Sequence, residues 1–427
     1  MDHRSLWAVL FGTFTLRFST GLTGALLVYY LESLPRFGGP PVDAITIGLF
    51  SATFFAAELI LSTPFGLLSD RIGHHRVMQI GPIFGLVAVI LTWASVDLLV
   101  LGTTRWLEGA STAASVPSIL GFIAMVTAGD ELLRGRASAR FEGATLAGLG
   151  LGLVAAGVLW QALGREAFLL NACIYAGSFA IYRFGVRPPR AEAATLQAAH
   201  YGWRRYLDLV SSSHVWLLAP TWIAVNASLG IWTSQSIFQL IREPSPRFAD
   251  QLLMGRFDPS GVSLALGIGL VVFFAGLVFW GDRFKRFRRT TIILYGIVGG
   301  AAVVGAAIAL NHSAGLPEIV RLGCTLVIVA GLFVLAGATP AALGLLADIS
   351  EAYPADRGAI MGLYSVFLAV GQISGSLIGG VSAEAQGIDG LLVATLVLLG
   401  VALVPLARLR AFEHVVDAPR DERMEPG

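Results

Sequence analysis

Long apolar stretches, broken by short polar connections, dominate the chain from its first residues to its last fifth. Each stretch runs for about twenty residues or more, the length an α-helix needs to cross a hydrocarbon core of about 30 Å. Lipid offers the backbone no hydrogen-bond partner, so a spanning segment must be a helix or part of a closed barrel. These runs are too long and too evenly apolar for barrel strands. The pattern predicts helices at 5–31, 44–68, 77–97, 98–127, 143–163 and 167–184. A second set follows at 214–240, 261–280, 289–310, 317–346, 358–382 and 388–407.

The widest gap falls between the two sets of six, where Pro188 and Pro189 stop the sixth helix. We therefore expect an amino-terminal six-helix bundle over 1–184, a linker over 185–213 with a short amphipathic piece on the membrane surface, and a carboxyl-terminal bundle over 214–427 with a short tail. The first run, 5–31, is too long for a signal-peptide core and lacks a small-residue cleavage pattern, so it is expected to stay as the first helix.

Composition agrees with this pattern. Of 427 residues 55% are hydrophobic and 13% charged, about half the charged share of a soluble domain, and mean hydropathy is +0.73. The net charge of +1 says little, but its placement says more. With the amino terminus inside, 21 of the 29 Lys and Arg residues fall on inner segments and five on outer ones. That bias predicts cytoplasmic termini. Cys173 and Cys324 lie inside apolar runs and read as buried small hydrophobes.

Two short stretches repeat across the halves. "GLLSDRIGHHR" (66–76) follows the second helix, and "VFWGDRFKRFR" (278–288) follows the eighth, their Asp-Arg pairs 212 positions apart. Internal repeats of this kind mark many secondary transporters, whose substrate site lies near mid-membrane between the halves. The first stretch, through Gly66, Asp70, Arg71, Gly73 and Arg76, resembles the loop signature of the major facilitator superfamily. His74 and His75 stand where that family has a basic pair. "RWLEG" (105–109) is similar to the family's Arg-x-x-Gln-Gly, with Glu108 replacing Gln, and 357–380 looks like its glycine-lined eleventh helix. The resemblance implies an all-α fold of twelve transmembrane helices in two six-helix bundles. It also implies that Asp70 forms an inner latch with the start of helix 11, near Gly358 and Ala359. The bland alternative is a loop that only sets topology, which accounts for Arg71 and Arg76 but not for the acid. Asp282 and Arg283 would be a weaker counterpart in the second half.

Ionisable residues inside spans are costly and point to function. Arg17 and Glu58 fall at similar depth, roughly 15–18 Å from the inner ends of their helices, and could pair. Arg105 and Glu108, at i and i+3, share a helix face, continued by Thr112 and Ser115. Thr13, Thr20 and Gly24 extend the stripe that carries Arg17. These four charges form either a structural network or a site where Glu58, or second Glu108, exchanges a proton beside an arginine. Asn226, Thr233, Gln235, Ser236 and Gln372 add milder polarity in the second half. Glu318 and Arg321 read as a structural pair. "GLGLG" (148–152) reads as close helix packing and not as a phosphate loop.

No nucleotide-binding motif, zinc-site histidine spacing, or nucleophile–base arrangement is apparent, so neither a cofactor, a metal nor enzymatic activity is expected. The expected partners are a small-molecule substrate, protons and the bilayer, with no nucleic acid, and the expected state is a monomer in the plasma membrane. Few charges, small residues and aromatics such as Phe18, Trp222 and Trp232 suit proton-coupled export of a hydrophobic or amphiphilic compound. Against export stands helix 5, which lacks the proline that exporters of the family often carry there. Proton-coupled uptake of an organic anion, and a non-transporting sensor or assembly factor on the same fold, stay open.

Overall fold

A computed structural model describes residues 3–127, 131–187, 215–243, 245–281, 283, 286–351 and 357–416. The linker call beyond residue 187, Asp282 and the end of the tail lie outside them. The described residues are helical throughout their ordered elements, with no strand among them.

In chain order the helices are α1 (His3–Glu32), α2 (Ala44–Ile72), α3 (Ile80–Ala94), α4 (Leu98–Val126), α5 (Glu131–Leu163) and α6 (Ala167–Ala180). They continue as α7 (Val215–Ile241), α8 (Pro259–Gly281) and α9 (Arg289–Asn311). The tenth span is broken into α10a (Glu318–Leu335) and α10b (Ala338–Glu351). The last helical stretch, Arg357–Val416, is interrupted at Gly387, whose φ of 63° and ψ of −139° divide it into α11 (357–386) and α12 (388–416). Among the described residues eight helical stretches are long and apolar enough to cross a membrane; Arg136–Gly185 takes in α5 and α6, Ser365–Ala411 takes in α11 and α12, and Glu318–Leu346 runs across the break in the tenth span.

Local chemistry fixes several ends. The Asp43 carboxylate accepts from Thr46 N at 2.8 Å and opens α2, and Asp97 accepts from Leu99 N and Val100 N to open α4. Such caps are worth about 1 kcal/mol each. α5 starts twelve residues before the apolar run that predicts it, because "ELLRGRASARFE" is built of good helix formers although it is not apolar. The tenth span breaks where Gly337 lies against the Trp280 ring, a Cβ there falling 2.6 Å from Trp280 Cγ.

The helices gather into two compact units. The first comprises residues 1–200, 234–247 and 253–268, and the second 201–233, 248–252 and 269–427, so the division runs through α7 and α8. In the first, α1 packs most closely on α5 and α2 on α4; in the second, α9 packs on α10a. Glycine makes the α1–α5 approach possible: a Cβ on Gly148 would meet Arg17 Cβ at 2.9 Å, and one on Gly152 would meet Phe18 O at 2.1 Å. The "GLGLG" run is thus a packing stripe, as van der Waals contact between membrane helices demands. The cysteine reading needs correction. Cys173 is exposed on α6 and Cys324 only half-buried, because an apolar residue in a span can face lipid as readily as the protein interior.

Candidate functional site

The polar stripe of α1 faces α4 in the first unit. Arg17, 8% exposed, donates from Nη1 to Thr112 Oγ1 at 3.2 Å. Thr13 and Thr20, one turn to either side, satisfy their hydroxyls on the carbonyls of Val9 and Leu16. Tyr182 approaches from the π-turn after α6, its hydroxyl 3.5 Å from Thr13 Oγ1. Glu58 on α2 is half-buried and lies within electrostatic reach of Arg17. No ion pair within 4.0 Å joins the two among the described residues.

Glu108 is more tightly held. Arg105 donates from Nη1 to Glu108 Oε2, and the same guanidinium lies 4.8 Å from the centre of the Phe54 ring. Glu108 is 1% exposed, and its buried Oε1 makes no hydrogen bond among the described residues, with Thr23 as its hydroxyl neighbour. An orphaned buried acceptor costs about 1–3 kcal/mol, more when charged. Gly109 explains how α2 comes so near: a Cβ there would fall 2.3 Å from Phe54 O and 3.1 Å from Glu58 N. The backbones touch at that level, bringing the two acids onto adjoining turns of neighbouring helices. Ser111 ties α3 to the same face by donating to Gly81 O at 2.6 Å.

Sequence reasoning missed Glu142. It lies on α5 within electrostatic reach of Arg17, but the apolar run that marks the fifth helix begins just after it. Gln239 was missed as well. It is 1% exposed with both amide atoms unpartnered, one turn beyond Gln235; an i, i+4 amide pair was the available signal.

The polar residues of the second half do not assemble in one place. Gln235 belongs to the first unit, where its Nε2 donates to Ala44 O at 2.8 Å. Asn226 turns its amide to Trp222 O at 2.8 Å. Gln372 Oε1 accepts from Thr233 Oγ1 at 2.9 Å, across an α7–α11 contact where Gly371 leaves room for Asn226. No ion pair joins Glu318 to Arg321 among the described residues, and Arg321 Nε is buried without a hydrogen-bond partner.

The turn after α2 is built around His74. Gly73 has φ 102°, a conformation reserved for glycine, and its N–H closes α2 on Ser69 O at 3.0 Å. The His74 ring meets Ser69 Oγ at 3.0 Å through Nδ1, and its Nε2 lies 3.7 Å from Asp70 Oδ1. Gly121 on α4 has no side chain because the ring fills that space, 2.4 Å from where a Cβ would be. Arg71 and Arg76 are exposed, and Asp70 keeps 43% of its side chain exposed. Arg283 stacks on Phe279, 4.2 Å from the ring centre. A groove of about 480 Å³ between α2 and α4, lined by Leu49, Phe50, Leu99 and Trp106 among others, contains none of the candidate residues.

Comparison with known proteins bears on the family and the fold. The sequence model of the Major Facilitator Superfamily matches residues 9–255 and 248–426. The chain is 21% identical over 307 residues to the quinolone resistance protein NorA of Staphylococcus aureus (strain MSSA476), covering 71% of this chain and 73% of that protein. It is 23% identical over 116 residues to the multi-drug resistance efflux pump PmrA of Streptococcus pneumoniae, 27% of this chain and 28% of that one. The crystal structure of the nucleoside transporter NupG superposes with a TM-score of 0.72 at 14% identity, over 97% of this chain and 99% of that one.

Proposed function

The chain belongs to the Major Facilitator Superfamily, a multi-pass membrane transporter with the all-helical fold of twelve spans in two six-helix bundles, and from that premise we propose that it exports a hydrophobic or amphiphilic compound in exchange for protons. The bundles, 1–184 and 214–427 with the linker 185–213 between them, alternate access to a central site. The single observation that carries the proton-coupling part is Glu108, wholly buried, with one oxygen on Arg105 and the other making no hydrogen bond among the described residues. A carboxyl group held away from water beside a fixed cation exchanges a proton when access to water changes. Glu58, half-buried on the adjoining turn of α2, is the first candidate for loading that proton, and Glu108 the second. The likeness to a quinolone resistance protein and a multi-drug resistance efflux pump supports the direction.

In this reading Asp70, with the turn at Gly73 and with Gly66 two turns earlier inside α2, is the cytoplasmic latch, and Arg71, Arg76 and Arg283 hold the inner side in the cytoplasm. Asp282 plays Asp70's part in the second half. The protein acts as a monomer in the plasma membrane with both termini inside, and carries out no chemical conversion.

A second reading has its own support. Arg17 is buried with a hydroxyl, not a carboxylate, as its hydrogen-bond partner, so it could receive an organic anion taken up with protons. Inside-out vesicles from cells expressing the protein separate the two. Export predicts accumulation of a lipophilic fluorescent dye in the vesicles, driven by respiration and abolished by a protonophore. Dye levels equal to those of vesicles lacking the protein, with uptake of anionic compounds in intact cells, would favour the second reading.

A further inference from the structure

The second compact unit holds a cluster that the transport reading leaves unused. Asp250, His312 and Asp389 come from three separate places: the connection after α7, the connection after α9, and the first turn of α12. A ligand atom from each lies within 4.8 Å of the other two.

The geometry is specific about roles. Asp389 uses both carboxylate oxygens: Oδ1 accepts from Asn311 Nδ2 at 2.8 Å, and Oδ2 lies 2.8 Å from His312 Nε2. Asn311 is fully buried, so it fixes the carboxylate. A neutral ring that donates from Nε2 to that carboxylate turns its Nδ1 lone pair toward Asp250 Oδ2, 3.6 Å away. The gap is too long for an N–H···O hydrogen bond. It matches the edge of about 3.4 Å between two ligand atoms, each about 2.0–2.1 Å from one tetrahedral zinc-class ion. A carboxylate behind a ligating histidine is the usual support for such a ligand, setting its tautomer and orientation.

The surrounding backbone is tied to the same three places. Leu252 N donates to Asn311 O at 2.7 Å. Gln251 Nε2 donates to Gln386 O, and its Oε1 accepts from Ile388 N, both at 2.8 Å. The ligands therefore stand on a frame that exists without an ion. Their side chains are 69%, 37% and 27% exposed for Asp250, His312 and Asp389, which leaves an open path from water.

We propose that Asp250 Oδ2 and His312 Nδ1 bind a divalent zinc-class cation, with Asp389 as the positioning residue and water completing the coordination. Two protein ligands make the site reversible and not a permanent structural metal centre. Binding joins the connections after α7 and α9, so it stiffens this end of the second unit. Any effect on transport would be regulatory, and the site stands whether or not the export reading holds.

The test uses the purified full-length protein with its affinity tag removed. Zn²⁺ titration by calorimetry should show one ion per chain, and Zn²⁺ should raise the melting temperature in detergent. His312→Gln and Asp250→Asn should each lower the affinity at least tenfold and remove the stabilisation. Asp389→Asn, which keeps both proposed ligands, should weaken binding by about tenfold. Unchanged Zn²⁺ affinity in His312→Gln overturns the proposal, as does a wild-type protein that shows no one-ion isotherm. Should a variant fail to fold, Co²⁺ on the wild type decides: a visible d–d absorption displaced by one equivalent of Zn²⁺ is expected, and its absence contradicts the site.

Discussion

Glu108 and Arg105 show how one turn of helix can hold two opposite charges in a membrane. The pair at i and i+3 neutralises itself, Phe54 covers the guanidinium, and one carboxylate oxygen stays uncommitted. Replacing the ionisable carboxyl group with a neutral amide tests what that oxygen is for. Glu108→Gln keeps an oxygen for Arg105 and nearly the same volume, so the protein should fold and bind substrate while proton-coupled transport falls at least tenfold. Near-wild-type transport in that variant would assign the pair to structure alone. His74 invites a similar test, because its ring occupies the space that Gly121 leaves open. Gly121→Val should force the ring out of the turn and destabilise the protein by about 1–3 kcal/mol, read as a lowered melting temperature. This histidine was opaque in the sequence. Two adjacent imidazoles in a short loop look solvated, and only the position of a glycine 47 residues away reveals that one of them is packed.

Helices in lipid lack a hydrophobic drive toward one another, so their approach depends on where side chains are small. Gly148 and Gly152 bring α1 against α5, and Gly109 brings α2 against α4. Gly152→Val should therefore part α1 from α5 and destabilise the first unit by about 1–3 kcal/mol. Gly24→Ala, where nothing lies within 4 Å of an added Cβ, should leave the melting temperature unchanged. An added Cβ alone meets Phe18 O at 2.1 Å at Gly152 and nothing within 4 Å at Gly24, so equal melting temperatures would contradict the packing account. Spans and the glycine stripe of α5 could be read from the sequence because each leaves a local periodic mark. The early start of α5 could not, since a helix continuing beyond an apolar run looks like a loop. For the same reason Glu142 was left out of the charge group.

Across the whole molecule, twelve spans and a half-chain repeat were enough to indicate the family, and the match over residues 9–255 and 248–426 establishes it. The cargo was not readable in this way, because a cavity for apolar compounds is made of the same residues as the rest of the spans. The Asp250–His312–Asp389 cluster was invisible for a different reason: its members are 62 and 77 positions apart and meet only in the folded chain. Orientation is open to direct measurement. If both termini are cytoplasmic, a single cysteine introduced at position 425 of a Cys173→Ala, Cys324→Ala protein should resist a membrane-impermeant maleimide in intact cells and react after permeabilisation. Proton coupling is the claim on which the rest of the functional account depends. Its most direct test is purified protein in liposomes with a pH-sensitive dye inside, to which a lipophilic substrate found by thermal stabilisation is added. We expect substrate-dependent proton movement in the wild type, reduced at least tenfold in both Glu58→Gln and Glu108→Gln. Proton movement that persists unchanged in both variants would contradict the account.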